Sequence, residues 1–209
     1  MEFLPQNFDA SITTRFRTPD MDPDTYHFRQ WIILEKRSEH PVSILPTDVA
    51  AGVGIPCTTG RYLCRLTGTS NENKNKLAFM RIYKQIPQTG TEFESSTVRK
   101  AQAVSHGLPD ELVAFRELAG KACTACSQPL STPTPQLLGW NFAQQDDTDL
   151  VPGGFIVYLV WEKVRGEPLS EEEFWSLPYD KRETIRQNVK RAYSFVTEHL
   201  DYDNLLIAN

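Results

Sequence analysis

The chain has 209 residues, of which 40% are hydrophobic and 23% are charged. A chain of this length buries roughly two-thirds of its unfolded surface and forms one domain or two small lobes. Its 22 basic and 27 acidic residues give a net charge of −5, which disfavours binding to nucleic acid phosphates. The apolar runs at 155–161 and 205–208 are far shorter than the roughly 20 residues that span a bilayer, and residues 1–9 do not resemble a secretory signal. We therefore expect a cytoplasmic protein that binds neither nucleic acid nor membranes.

The four cysteines predict neither a zinc site nor a redox motif. Cys123 and Cys126 form a C-x-x-C pair, and Cys57 and Cys64 lie elsewhere. Structural zinc needs four ligands at compatible spacing, and a redox pair is expected to follow a strand and open a helix. Cys123 instead comes at the end of a helical pattern. We expect ordinary reduced thiols and no zinc.

The first half of the chain predicts a sheet that follows an irregular lead-in. Residues 1–25 mix Pro, Asp, Thr and Asn without periodicity. The apolar run Trp31–Leu34 predicts a buried strand where the sheet begins. The segments Arg61–Leu66 and Leu77–Tyr83, with the polar loop 70–76 between them, predict a hairpin with a long tip.

A glycine-containing segment precedes this hairpin and has two interpretations. Gly52, Gly54 and Gly60 lie in or beside a run of small residues. Such a segment binds phosphates when its backbone N–H groups converge. Glycines near a turn are equally what an ordinary hairpin uses, so both interpretations stay open.

A helix is predicted to begin at Asp110, with Leu112, Phe115 and Leu118 on one apolar face. Glu111 shares the buried edge of that face, whereas Glu117 is expected on the wetter side. Glu111 is therefore the more interesting of the two acids.

The last hundred residues predict two more strands and then helices. Gln136–Trp140 predicts a short strand, and Phe155–Trp161 predicts a central strand because it is apolar on both faces. Ser170 and Glu173 have the spacing of a capping box. After Pro178, apolar residues recur at three- and four-residue steps and predict a long helix.

Several ordered motifs resemble the protein-kinase-like superfamily. The segment Tyr158–Val164, with Gly166 and Leu169, resembles the hinge of aminoglycoside-phosphotransferase and choline-kinase-like enzymes. Four further segments resemble a group of kinase-like proteins of filamentous fungi: 81–87, 98–103, 150–154 and 174–177. The resemblance covers residues 30–209.

This resemblance implies an α+β fold. Residues 26–161 would form a kinase-like small lobe, made of an antiparallel sheet plus one helix. Residues 162–209 would form the hinge and the first helices of a truncated large lobe. Residues 1–25 would remain an irregular lead-in.

The resemblance also implies nucleotide-binding residues. In such enzymes a lysine on the third strand contacts the phosphates and pairs with a helix glutamate. Arg81 occupies that position, and Glu111 is its expected partner. Arginine keeps the charge but replaces a compact ammonium with a planar fork; the alternative is a solvated strand residue in a surface ion pair. Lys84 lies on the other face of the strand and is not expected to substitute.

Three other sets of residues complete the implied nucleotide site. Gly52 and Gly54 would approach the phosphates, and backbone groups at Glu162 and Val164 would contact the base. ATP and Mg²⁺ are the implied ligands.

The C-terminal motif departs from the kinase pattern. His199-x-Asp201 has catalytic-loop spacing, which makes Asp201 the candidate catalytic residue. Asn204, the candidate metal ligand, follows after three residues instead of five. The alternative is the polar end of a helix. The sequence reaches Asn209 before any Asp-Phe-Gly-like segment, so we expect that this chain alone does not catalyse phosphoryl transfer.

We therefore predict a degenerate or truncated kinase-like domain, a pseudokinase that binds nucleotide or protein. The alternative is an ATP-dependent phosphotransferase represented by a partial chain. A third interpretation is an α+β interaction domain without a nucleotide. The apolar stripe of the last helix predicts self-association or a protein partner, and its members are Ile185, Val189 and Val196.

Overall fold

The protein has an α+β fold with an antiparallel sheet and helices of 5 to 21 residues. It is seen in a computed structural model, which describes residues 3–4, 12–16, 27–67, 76–119, 135–164 and 169–199. The strands are β1 (Ile12–Phe16), β2 (His27–Val42), β3 (Cys57–Thr67), β4 (Leu77–Gln85), β5 (Leu137–Gln144) and β6 (Phe155–Glu162). The helices are α1 (Pro46–Ala50), α2 (Ser96–Lys100), α3 (Asp110–Ala119), α4 (Glu171–Ser176) and α5 (Tyr179–His199).

All six strands belong to one sheet in the order β1-β2-β3-β4-β6-β5, and every neighbouring pair is antiparallel. The predicted β3–β4 hairpin is confirmed, as is the interior position of β6, which pairs with β4 and β5. Residues of the outermost strands β1 and β5 approach each other within 8 Å between Cα atoms. The sheet is therefore strongly curled.

The N-terminal segment differs from the predicted irregular lead-in. Residues Ile12–Phe16 form β1, which pairs with the first half of β2, so the sheet begins before Trp31. Leu4 is 3% exposed and belongs to the core cluster. The strand was missed because it is only five residues long, and so short a segment carries too few residues for an alternating pattern to mark it as a strand.

The main core cluster lies on one face of the sheet because side chains alternate along each strand, while Val157, Leu159 and Trp161 of β6 are buried on the other face. On β4, Ala78, Met80 and Ile82 are buried, whereas Phe79 and Arg81 on the opposite face are half-buried. The core cluster consists of Leu4, Trp31, Ile33, Tyr62, Cys64, Leu66, Ala78, Met80, Ile82, Leu138 and Val160.

The chain divides into two compact units. The first contains Met1–Pro109 and Leu137–Glu162, and the second contains Asp110–Gln136 and Lys163–Asn209. The whole sheet, α1 and α2 belong to the first unit, whereas α3, α4 and α5 belong to the second. The sequence predicted that α3 belongs to the first lobe and that the boundary follows residue 161. In the structure the boundary between the compact units follows Glu162, and α3 belongs to the same unit as α4 and α5.

The second unit is helical in its described part. Ser170 and Glu173 form the predicted capping box at the start of α4. Helix α5 is confirmed, and its residues approach α3 within 8 Å between Cα atoms. Within its predicted stripe Ile185 is half-buried and Val189 is exposed, while the side chain of Val196 lies outside the described residues. Self-association through this helix stays a prediction. Among the described residues, no helix combines the length and the apolar character that crossing a bilayer requires.

A polar clamp holds Leu4 in the core of the first unit. Two register shifts in β2, on either side of Glu35 and Lys36, turn both Lys36 and Glu39 toward the core face. Lys36 Nζ donates to the Leu4 carbonyl at 2.8 Å and to Glu39 at 2.7 Å. Glu39 Oε1 accepts from the Phe3 N–H at 3.1 Å and from the Thr58 hydroxyl at 2.8 Å.

The clamp lowers the pKa of Glu39. Burial of this carboxyl raises its pKa, but the hydrogen bonds from Lys36, Thr58 and Phe3 outweigh burial, and the pKa falls below its ordinary value of 4.5. The ionised form is thus the one that folding favours.

Three glutamines organise the loops around the end of β4. Gln85 is 1% exposed; its Nε2 donates to the Gln102 carbonyl at 2.7 Å and its Oε1 accepts from the Val104 N–H at 2.9 Å. Gln145 donates to the Gln85 carbonyl at 2.8 Å and accepts from the Val151 N–H at 2.9 Å. These bonds fix residues 102–104 and the β5–β6 turn to the same strand end. Because the amides are paired, their burial carries little desolvation penalty.

Glycine is required where the turn meets this network. A Cβ at Gly154 would lie 2.6 Å from Gln85 Oε1, closer than any relaxed contact. The preceding Gly153 has φ +82°, a left-handed conformation that side chains disfavour. The turn can therefore pack directly on Gln85.

We expect Glu39→Gln to lower the free energy of unfolding by about 1–3 kcal/mol at neutral pH, because it removes a charge-assisted hydrogen bond acceptor from a buried clamp. Since the folded-state pKa lies below the unfolded one, the wild-type advantage is present above about pH 4.5 and is lost as pH falls through the folded-state pKa. Urea unfolding at several pH values measures both effects. Exposed Glu35→Gln is the control, and equal losses from the two variants would contradict the clamp.

We expect Gln145→Ala to cost at least about 2 kcal/mol, because it leaves the Gln85 carbonyl and the Val151 N–H without their partners. Gln144, the exposed neighbour of Gln145, is the matched control, and its alanine variant should change stability by less than about 0.5 kcal/mol. Denaturant unfolding of both variants makes the comparison. Similar stabilities for the two would refute a structural role for the network.

Candidate phosphate-binding groove

The face of β4 that points away from the core carries Arg81. Strand β4 pairs with β3 on one side and with β6 on the other, and Arg81 lies directly opposite Arg61 and Leu159. Directly opposed residues in an antiparallel pair project from the same face, with Cβ atoms about 5 Å apart. The pairing therefore places two arginines side by side on this face.

Both guanidinium groups lie over aromatic rings of the same face. Arg81 Cζ is 5.3 Å from the centroid of the Trp161 ring, and Arg61 Cζ is 6.0 Å from that of Phe79. The two rings are themselves 6.3 Å apart, at a tilt of 47°. Stacking occupies the planar face of a guanidinium and leaves its N–H edge able to donate to an anion. Arg81 is half-buried in this arrangement, unlike a fully solvated strand residue.

An open groove lies beside the two arginines. Its volume is about 310 Å³, and it is lined by Ser38, His40, Thr59, Arg61 and Arg81. Ser38 pairs with Arg61 and His40 pairs with Thr59 across β2 and β3, so all five residues project from the same face. Two fixed positive charges with hydroxyl and imidazole groups form a chemical environment suited to phosphate or carboxylate anions.

Lys84 lies on the face of β4 opposite to Arg81, as the sequence predicted, and does not line the groove. Its Nζ forms an ion pair with Asp149 in the β5–β6 turn, with Lys84 13% and Asp149 27% exposed at the side chain. Arg99 of α2 also donates to the Asp149 and Leu150 carbonyls. These contacts hold the turn that Gln145 begins.

Gly52 ends helix α1. Its N–H donates to the Val49 carbonyl and the Val53 N–H donates to the Asp48 carbonyl, both at 3.0 Å, and Gly52 has φ +76°. This is the Schellman pattern of a helix C-terminus. The Gly52 N–H is thus already committed, and the residue's conformation is explained without a phosphate. Gly54 lies in the same connection, and a Cβ there would meet only Ile44, at 3.5 Å.

The other nucleotide-site candidates fall in different units. Glu162, half-buried, ends β6 opposite Ala78 in the first unit, whereas exposed Val164 and half-buried Glu111 belong to the second. The Arg81–Glu111 pair and the contact of the base with the hinge therefore stay predictions. Glu111 and Glu117 are both half-buried, and the predicted difference in exposure between them stays a prediction.

The candidate catalytic residues Asp201 and Asn204 lie outside the described residues, and His199 is described only as the last residue of α5. Within the described ranges, no three His, Cys, Asp or Glu side chains are grouped in a way that would hold a metal ion.

The two described cysteines are separate thiols, Cys64 buried and Cys57 half-buried. Cys57 and Cys64 lie seven positions apart on β3, which places them on opposite faces of the strand. Burial raises the pKa of Cys64 to about 12 and also raises that of Cys57. Cys123 and Cys126 lie outside the described residues.

Comparison of the chain with protein-family models, with curated proteins and with solved structures finds no match.

The sequence interpretation missed Arg61 and His40 as groove residues. A signal for Arg61 was present, because a hairpin with its tip centred near residue 71 places residue 61 opposite residue 81, as the structure does. No such signal existed for His40, since the two register shifts in β2 change which residues face the groove.

We expect both described thiols to be poorly reactive, because only the thiolate attacks a disulfide reagent. In a Cys123→Ser/Cys126→Ser variant, Ellman's reagent should label Cys64 much more slowly in buffer than in denaturant, with Cys57 intermediate. The time course of absorbance measures this. Equal labelling of both thiols in the two conditions would contradict the burial of Cys64.

Proposed function

We propose that the chain is a nucleotide-binding module of the kinase-like type, in which Arg81 occupies the position of the phosphate-contacting lysine. The observation that carries this proposal is the placement of Arg81 on the groove face of β4, between Arg61 of β3 and the strand β6 that ends at the predicted hinge. An anion bound in the groove would meet both guanidinium groups.

The local order of elements supports the proposal. The strand that carries Arg81 is paired on both sides, so its position is fixed by two ladders of hydrogen bonds. Stacking on Trp161 further restrains the Arg81 side chain. A positively charged group held in place before the ligand arrives loses little conformational entropy when it binds.

Binding without phosphoryl transfer is the activity that we propose for this chain. Transfer depends on metal-bridged phosphates and a positioned base, and the residues considered for those roles, Asp201 and Asn204, depart from the catalytic-loop spacing. A phosphotransferase completed by further sequence is the alternative that the experiment below separates.

We expect millimolar ATP to raise the melting temperature of the chain by several degrees, because a ligand that binds only the native state stabilises it. Differential scanning fluorimetry with and without ATP, and with Mg²⁺ added or chelated, measures the shift. Arg81→Ala should abolish most of it, whereas Arg81→Lys should retain the charge and part of the shift.

Arg65→Ala is the matched control. Arg65 lies on the neighbouring strand β3 and is half-buried like Arg81, but it does not line the groove. An equal loss in the Arg65 and Arg81 variants, or no ATP shift in the wild-type chain, would refute the proposal. A shift that requires Mg²⁺ would favour the phosphotransferase instead.

A further inference from the structure

We propose that Lys36, Glu39 and Gly60 form a peptide-binding site that takes the segment around Leu4 from a second copy of this chain as well as from its own chain. The ligand class is a short peptide in which a leucine follows a backbone N–H donor. The site lies on the core face of β2 and β3, opposite to the groove, so this inference is independent of the proposed function.

The contacts of Leu4 are those of a bound peptide, because they involve backbone groups and one apolar side chain. The Phe3 N–H donates to Glu39 Oε1 at 3.1 Å, and the Leu4 carbonyl accepts from Lys36 Nζ at 2.8 Å. The Leu4 side chain is 3% exposed and belongs to the core cluster. In peptide recognition, backbone hydrogen bonds supply affinity and a pocket for a side chain supplies specificity.

The side chains that hold Leu4 are also paired with one another. Lys36 Nζ donates to Glu39 Oε2 at 2.7 Å, and the Thr58 hydroxyl donates to Glu39 Oε1 at 2.8 Å. The two charges therefore keep each other as partners when the segment leaves, and the empty site retains a paired carboxylate and ammonium. Polar groups that are already in place lose little conformational entropy when a peptide binds.

Gly60 gives the leucine its space. A Cβ on Gly60 would lie 2.6 Å from Leu4 Cδ1 and 2.9 Å from the ring of Tyr62. Gly60 is not among the glycines with positive φ, so its backbone conformation does not require glycine. The close approach of these two side chains is what a larger residue at this position would prevent.

The occupant from outside is the same segment of a second copy, because the contacts formed between two chains are then identical to those within one chain. Exchange of an identical element between copies is a low-cost route to a dimer for this reason. Within one chain the tethered segment competes at an effective concentration on the order of 1 mM. Exchange is therefore expected at high chain concentration, or where the chain's own leucine is removed.

Fluorescence anisotropy with a synthetic peptide of residues 1–9 tests the site on the full chain. A Leu4→Asp chain, whose own segment no longer fits, should bind this peptide roughly tenfold more tightly than the wild type, or better. The same peptide carrying Leu4→Asp should bind roughly tenfold more weakly. Adding Glu39→Gln to the receptor chain should weaken binding by a similar factor, whereas Glu35→Gln, at an exposed position, should leave it unchanged.

Sedimentation velocity tests the second copy as the occupant. A Gly60→Val chain has a blocked site but an intact Leu4 segment, so mixing it with the Leu4→Asp chain should give a one-to-one complex that neither variant gives alone. No complex in the mixture, or equal peptide affinities of the Leu4→Asp and wild-type chains, would overturn the inference.

Circular dichroism covers a receptor chain that fails to fold alone. An unfolded Leu4→Asp chain should regain the native spectrum when the peptide is added at millimolar concentration, because a ligand that binds only the native state stabilises it. A chain that stays unfolded with the peptide present would also overturn the inference.

Discussion

The pairing of β4 on both sides is the constraint on which the other features of the first unit depend. Two antiparallel neighbours fix the register of the strand, and the period-two alternation then sends Met80 and Ile82 into the core and Arg81 to the groove. A shift of one residue would bury Arg81 and expose the apolar residues. The core and the groove are therefore set by the same hydrogen bonds, and the apolar core stabilises the position of the arginine without touching it.

At the edges of the sheet, polar side chains form hydrogen bonds with backbone groups that the strand pairing leaves unpaired. Gln85 and Gln145 satisfy buried backbone groups of two loops, and Lys36 with Glu39 does the same for the residues around Leu4. Amides suit the first task because each one donates and accepts at once. Around Leu4 the hydrogen bonds come from an ammonium and a carboxylate that are nearly desolvated, with side-chain exposures of 7% for Lys36 and 10% for Glu39. Removing either one would leave the other buried without its partner, which destabilises the fold.

Much of the fold could be predicted from local patterns, because strands β3, β4 and β6 and helices α3 to α5 carry their periodicity within their own residues. Strand β1 could not, since it is only five residues long, and the insertion of Leu4 could not, since its partners lie far along the chain. In the groove, Arg81 could be predicted from a sequence motif. Predicting Arg61 required the register of the β3–β4 hairpin, and predicting His40 required the positions of the register shifts in β2. The glycine pattern at Gly52 allowed two interpretations for a physical reason, because a helix end and a phosphate loop both favour glycine with positive φ.

The seating of Leu4 has a consequence for synthesis on the ribosome. Its side chain lies where a Cβ on Gly60 would come within 2.6 Å of Leu4 Cδ1, so the two segments meet closely in the finished core. Leu4 leaves the ribosome long before Gly60 and must wait, unpacked, until β2 and β3 have joined. Leu4 is thus made well before the strands against which it packs, and its apolar side chain stays available to chaperones until those strands have formed.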